Sequence, residues 1–187
     1  MSSPHHQPAV LNAVQRTGDV LALREVAGPI RLVIAGGVAG LLTGSLHESR
    51  TTADCDVLWH DHPDLWQSIA SAAAEIAAEL DLPPTWLNKD CSIDLDSFPL
   101  GWADRVEPVG RFGPLDVHRV SRFDLIASKV VASPKRPQDL ADLRDLAPTA
   151  VELDQVSEHL DRLASEHLDG HDYPARRAII ESLRERS

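Results

Sequence analysis

This 187-residue chain lacks a membrane-spanning segment, a secretory signal and paired cysteines, and each absence excludes a class of protein. No apolar run approaches the roughly 20 residues that a membrane-spanning helix requires. The N-terminus has neither the cationic start nor the apolar segment of a secretory signal, so we expect a cytoplasmic protein without a membrane partner. Only two cysteines are present, Cys55 and Cys91, and neither belongs to a C-x-x-C pair. This excludes a disulfide scaffold and argues against a structural zinc site.

Aromatic residues make up only 4% of the chain, which argues against a base-stacking platform for single-stranded nucleic acid. The 29 acidic residues outnumber the 18 basic ones, and the net charge of −11 excludes nucleic-acid binding by bulk charge. Contact with RNA would therefore need a local basic patch, and no DNA partner is expected. The 43% apolar and 25% charged content is that of an ordinary folded domain.

The hydrophobic pattern predicts an α+β fold, with a small mixed β-sheet and helices followed by a C-terminal helical bundle. A break at residues 17–19 predicts two short N-terminal helices. Strands are predicted at 31–35 and 52–59, and three weaker ones at 91–98, 105–109 and 115–120. The predicted parts are a disordered tail (1–8), an α/β core (9–120) and a helical part packed on that core (121–187).

An acidic pair stands in the second predicted strand. Asp54 and Asp56 are two residues apart, and alternate side chains of a strand share a face. Two carboxylates this close repel each other unless a hard cation such as Mg²⁺ lies between them and a substrate phosphate. The alternative interpretation is two surface aspartates at a strand edge.

A glycine pair, Gly36-Gly37, lies between the first strand and a helix, where backbone N–H groups can approach a phosphate. Arg50 and Thr52 precede the acidic pair and could add guanidinium and hydroxyl contacts. An ordinary tight turn and a solvated loop are the alternatives. A second candidate, Gly44-Ser45, falls late in the predicted helix and is less favoured.

The helical half contains a lysine beside an apolar stripe. Lys129 follows Leu125 and Ile126 by one helical turn, so it either extends to water or meets an anion. Asp139 and Asp142 share a face near the start of the next predicted helix. They are interpreted either as site carboxylates near Lys129 or as partners of the helix dipole.

Four motifs in this order resemble the polymerase-β-like nucleotidyltransferase superfamily, and most of all the AbiE-type nucleotidyltransferase toxins of toxin–antitoxin systems. They are Gly36-Gly37, Thr51-x-x-Asp54-x-Asp56, Lys129-Val-Val-Ala132 and Arg136-Pro-Gln-Asp139-Leu-Ala-Asp142. The similarity spans roughly residues 32–146. Two departures are Gln138, where the family has lysine, and Gly-Gly, where Gly-Ser is common.

The resemblance implies transfer of a nucleoside monophosphate from an NTP, such as ATP or CTP, to the 3′ end of tRNA. Translation would then stop, and a cognate antitoxin would be the protein partner. It implies Asp54, Asp56, Lys129 and Asp139 as catalytic residues, with Mg²⁺ on the first two. The implied substrate-binding residues are Gly36, Gly37, Arg50, Thr52, Arg136 and Asp142.

Several alternatives stay open. The superfamily often has a third metal carboxylate, for which the candidates are Asp94, Asp96 and Asp116, unless Asp139 fills that role. The acidic net charge would also suit an enzyme that modifies a protein or a small molecule. Gln138 would suit a non-catalytic relative that binds a nucleotide or a partner. The sequence does not determine the preferred NTP or the oligomeric state.

Overall fold

The computed structural model describes residues 7–44, 46, 52, 54–91, 95, 98–166 and 173–186. Within these ranges the chain is α+β, which confirms the predicted fold class. The strands are β1 (Ile30–Ile34), β2 (Cys55–His60), β3 (Leu87–Asn88), β4 (Glu107–Phe112) and β5 (Leu115–Arg119). The helices are α1 (Gln7–Leu23), α2 (Gly36–Leu42), α3 (Trp66–Leu80), α4 (Arg122–Ala132), α5 (Pro137–Leu146), α6 (Ala150–Ser165) and α7 (Tyr173–Arg184). None of the helices in these ranges is long and apolar enough to cross a bilayer.

The described residues fall into two compact units. The first contains those up to Leu95 together with Ala103–Val120, and it holds the whole sheet. The second contains those at 98–102 together with those from Ser121 onward, and it holds α4 to α7.

The sheet of the first unit has the strand order β3-β2-β1-β5-β4. β1 is antiparallel to β2 and parallel to β5, while β2 and β3 are parallel. Since β2 runs opposite to β1, its first residues lie beside the last residues of β1, and Val57 pairs with Ile34. The start of β2 therefore meets the turn that follows β1.

One face of the sheet forms the core of the first unit. Alternate residues of its strands pack with α1 and α3, because a strand presents every second side chain to the same face. On α3 the buried residues repeat at three and four positions, as an amphipathic helix requires. The sheet residues in this core are Ile30, Leu32, Ile34, Cys55, Val57, Leu87, Leu115 and Val117.

The predicted break in the N-terminal helix is wrong. α1 continues through residues 17–19 and begins at Gln7, so residues 7 and 8 of the predicted tail are helical. Residues 1–6 lie outside the described ranges. A Cβ atom at Gly18 would overlap the carbonyl of Phe112 in β4. Gly18 therefore serves a close approach between helix and sheet, and it does not mark a turn.

The strand predicted at 91–98 is also not formed in its described part. Cys91 and Leu95 lie in short 3₁₀ turns, whereas residues 92–94 and 96–97 are outside the described ranges. The strand that pairs with β2 comes earlier, at Leu87–Asn88. The backbone N–H of Cys55 donates to the carbonyl of Trp86 across 2.5 Å, which extends this pairing by one bond.

Local sequence signals explain the starts of three helices in the second unit. Ser121 caps α4 by accepting a hydrogen bond from the Asp124 N–H at 3.2 Å. Pro137 occupies the first turn of α5, where its missing N–H costs nothing. Thr149 and Glu152 form a reciprocal capping box on α6. Each of these three starts is therefore marked by residues of its own first turn.

Candidate functional site

The glycine turn and Asp56 meet at one corner of the sheet. β1 ends at Ile34, and α2 begins at Gly36, which has a φ of +66°. The Ala35 N–H donates to the Asp56 carbonyl at 2.9 Å. A Cβ atom at Gly36 would overlap Asp56 Oδ2, so this carboxylate lies directly against the backbone of the turn. We call Gly36, Gly37, Asp54 and Asp56 the carboxylate corner.

Asp54 stands one residue before β2 and is exposed. Thr52 Oγ1 lies 2.9 Å from Asp54 Oδ1 and 3.0 Å from the Asp54 carbonyl oxygen. The hydroxyl has a single proton, which it shares between these two acceptors. Thr52, predicted to contact a phosphate, thus donates to Asp54 and helps to fix its orientation. Arg50 and Thr51 lie outside the described residues.

Cys55 separates the two aspartates and points the opposite way, into the core. Burial, followed by the negative charges of Asp56 and Asp54, raises the pKa of its thiol far above the ordinary value. The group therefore stays protonated and is not a nucleophile. Its burial also fixes the register of β2, because a shift by one residue would bring Asp56 into the apolar core.

Replacing Gly36 by alanine tests the contact between the turn and Asp56. Gly44 is a matched control, since it has the same φ of +66° but a Cβ atom added there would meet nothing within 4 Å. Both variants incur the left-handed cost of about 1–2 kcal/mol. Only Gly36→Ala also forces the Asp56 carboxylate to rotate away, for which we expect a further loss of about 0.5–1.5 kcal/mol in the free energy of unfolding. Urea titrations that give equal losses for the two variants would contradict the contact.

Sequence analysis missed one residue beside the corner. Asn88 of β3 pairs in register with Asp56 of β2, so the two side chains lie next to each other on the same face. The Asn88 side chain is half-buried. No sequence signal indicated it, because a strand of two residues has no recognisable alternation.

Asp116 does not belong to the corner, although it was one candidate for the third carboxylate. It pairs with Arg31 at the opposite end of β1, five residues before Gly36. Five residues of strand span about 16 Å, too far for both carboxylates to hold one cation. Asp116 Oδ2 instead lies 3.1 Å from His118 Nε2. Asp94 and Asp96 lie outside the described residues.

The second unit contains a buried lysine with two buried aspartates. Lys129 Nζ on α4 donates to Asp139 Oδ1 at 2.9 Å and to Asp142 Oδ2 at 2.5 Å, both on α5. The side chains are 4%, 9% and 1% exposed. Of the two predicted alternatives, Lys129 thus meets anions and does not extend to water. Such a triad ties α4 to α5, because charges this deeply buried must be paired.

Two neighbours complete this triad. Arg136, at the start of α5, is largely exposed and its Nε lies 3.4 Å from Asp139 Oδ2. Gln138, which replaces the lysine of the resembled motif, directs Nε2 to Asp142 Oδ1 at 3.4 Å. The glutamine therefore supplies a neutral donor to Asp142 at an exposed position where a lysine would add a second cation.

The donor set of the corner suits Mg²⁺ shared with a triphosphate. Among the described residues, no three His, Cys, Asp or Glu side chains are grouped to hold a metal on their own. Mg²⁺ commonly takes only one or two protein carboxylates and completes its shell with water and substrate phosphates. Asp54 is exposed and Asp56 is half-buried, so their carboxylate oxygens are accessible to such a shared ion.

Comparison with known proteins gives one family. The model of a family described as "Nucleotidyltransferase of unknown function (DUF6036)" matches residues 14–172. This match includes the carboxylate corner, Asn88 and the lysine triad. No curated protein and no solved structure matches the chain.

Proposed function

Because the chain belongs to the nucleotidyltransferases of unknown function (DUF6036), we propose that it transfers a nucleoside monophosphate from an NTP to an acceptor hydroxyl at the carboxylate corner. The observation that carries this proposal is the placement of the Asp56 carboxylate directly against the Gly36 backbone. An acidic ligand and a turn without side chains are then adjacent, which is what a metal-bound polyphosphate requires.

In this reaction the acceptor oxygen bonds to the α-phosphorus, and the bond from that phosphorus to the bridging oxygen breaks. Pyrophosphate leaves with the bridging oxygen, and the hydroxyl proton passes to a base or to water. Mg²⁺, when bound, neutralises charge on the phosphates. Asp54 and Asp56 would hold it, Thr52 would orient Asp54, and Gly36 and Gly37 would leave room for the phosphates.

Residues of α4 and α5 would support the reaction in two ways: they would hold these helices together, and they would supply a cation to the substrate. Lys129, Asp139 and Asp142 would fix α4 against α5, since each is paired inside the second unit. Lys129 uses two of its three donors on these carboxylates, so we propose structural support as its first role, beside the expected stabilisation of phosphate charge. Arg136 is the exposed cation of this group and the better candidate for contact with an anionic substrate.

For the acceptor we propose the 3′ end of tRNA, with inhibition of translation as the consequence and a cognate antitoxin as the regulating partner. A local basic patch supports a polyanionic acceptor. Arg31 and Arg111 are both exposed and flank Asp116 in register on β1 and β4. In the described part of the chain, neither guanidinium has an ion pair. Two such arginines on one sheet face give an acidic protein a place to bind phosphate.

A second acceptor class is a protein or a small molecule. The net charge of −11 favours it, because an acidic surface repels RNA outside the patch. The carboxylate corner would serve either acceptor equally, so the two classes differ only in which molecule receives the nucleoside monophosphate.

The test is a transfer assay with the purified chain, Mg²⁺ and each of the four α-labelled NTPs in turn. Total tRNA, total cellular protein, a protein-free extract of small molecules and no acceptor form the four arms. We expect label on tRNA, and none on tRNA whose 3′ terminal ribose has been oxidised with periodate. Label confined to protein or to the small-molecule extract would replace the tRNA acceptor by the second class. Absence of incorporation in every arm, by a folded protein, would refute the proposed transfer.

A further inference from the structure

Asn88 lies beside the carboxylate corner but is not one of its proposed metal ligands. Neighbouring strands are about 4.8 Å apart, and residues in register on parallel strands point to the same face. The adjacent pair, Cys55 and Leu87, is buried in the core, so Asp56 and Asn88 face the other way. The amide of Asn88 is therefore the nearest polar group of β3 to the Asp56 carboxylate.

The orientation of this amide is fixed by its neighbour in the chain. The Asp90 N–H lies 2.9 Å from Asn88 Oδ1. A backbone N–H can only donate, so the atom that faces it must be the oxygen, and Nδ2 must point the other way. Within the described ranges, Nδ2 has no hydrogen-bond acceptor. Two donor protons of this half-buried side chain thus remain without an acceptor in the described residues, on a residue that lies in register with Asp56.

We propose that Asn88 is a nucleotide-binding residue, whose Nδ2 donates a hydrogen bond to an oxygen of the NTP held at the carboxylate corner. This inference rests on the proposed function. Oδ1 is directed at the Asp90 N–H of the turn, so the atom left for the nucleotide is Nδ2, an amide nitrogen that donates hydrogen bonds and does not bind metals. A neutral amide donor beside two carboxylates suits a phosphate or ribose oxygen, which accepts hydrogen bonds, whereas a third carboxylate would repel the phosphates.

Two substitutions separate this role from that of the turn. Asn88→Asp keeps an acceptor for the Asp90 N–H and nearly the same shape, but it replaces both donor protons by a negative charge. Asn88→Ala removes the donor and the turn acceptor together. We expect both variants to bind α,β-methylene NTPs at least about tenfold more weakly than the wild type in the presence of Mg²⁺. The fold of Asn88→Asp should persist, because its carboxylate still accepts the hydrogen bond from the Asp90 N–H.

Calorimetric titration of the acceptor-free protein measures this binding. Deoxynucleotide analogues show whether Asn88 contacts a ribose or a phosphate oxygen. If it contacts the ribose hydroxyl, the wild type binds the deoxy analogue weakly. If it contacts a phosphate, the Asn88 substitutions weaken the binding of the ribose and the deoxyribose analogues equally. Wild-type affinity in Asn88→Asp would overturn the proposal and leave Asn88 a turn residue.

The same titration distinguishes the two failures. If the wild type binds no NTP, the proposed function and the role of Asn88 fall together. If the wild type binds NTP and the Asn88 variants do not, the nucleotide contact stands even where no acceptor is labelled. In that case only the proposed transfer is refuted.

Discussion

Replacing Lys129 by alanine should lower the melting temperature by roughly 10 °C. The substitution leaves the buried carboxylates of Asp139 and Asp142 without their cation. Breaking a buried ion pair by removing one partner costs about 3–5 kcal/mol in the free energy of unfolding. For a chain of this size each kcal/mol shifts the melting temperature by about 2–4 °C. Calorimetry and urea titration at neutral pH measure the effect.

The exposed pair Arg177–Asp161 provides the control. Its side chains are 58% and 66% exposed, so Arg177→Ala should cost less than about 1 kcal/mol. If Lys129→Ala were as mild as Arg177→Ala, the buried triad would not hold α4 to α5. Activity of the Lys129 variant must be measured well below its melting temperature, because unfolded protein would otherwise be mistaken for a catalytic defect.

The order of strand, glycine turn, helix and strand could be read from the sequence because each signal is local. The apolar run at 31–35 is too short for a helix, and Gly36-Gly37 follows it directly. Ser121 and Pro137 mark the starts of α4 and α5 by capping chemistry that involves only neighbouring residues. Such signals depend little on the rest of the fold.

The features that sequence analysis missed depend on contacts between distant residues. Gly18 was interpreted as a helix break, but its missing side chain is required by the Phe112 carbonyl, 94 positions along the chain. The burial of Lys129 could not be read from α4 alone, because both of its partners lie on α5. The position of Asn88 beside Asp56 follows only from the parallel pairing of β3 with β2.

Replacing Asp56 by asparagine should reduce the rate of nucleotidyl transfer about a thousandfold, the equivalent of about 4 kcal/mol of lost transition-state stabilisation. Asparagine keeps the shape of the side chain, and the backbone bond from the Ala35 N–H to the carbonyl of residue 56 does not involve it. The fold should therefore persist. Loss of one of two neighbouring negative charges should hold or raise the melting temperature measured without metal.

Asp54→Asn should behave in the same way, because Asp54 is the second proposed cation ligand. Asp64→Asn is the matched control, since Asp64 is an exposed carboxylate in the short turn before α3. It should leave the transfer rate unchanged. A rate in Asp56→Asn equal to that of the Asp64 variant would show that the corner takes no part in the chemistry.

Cation binding tests the carboxylate corner most directly. Mn²⁺, which prefers the same oxygen ligands as Mg²⁺, can be titrated by electron paramagnetic resonance in the presence of α,β-methylene NTP. The corner predicts at least one bound Mn²⁺ in the wild type and in Asp64→Asn, and its loss in Asp54→Asn and Asp56→Asn. Unchanged Mn²⁺ affinity in Asp56→Asn would contradict the assignment of this carboxylate as a metal ligand, and with it the proposed active site.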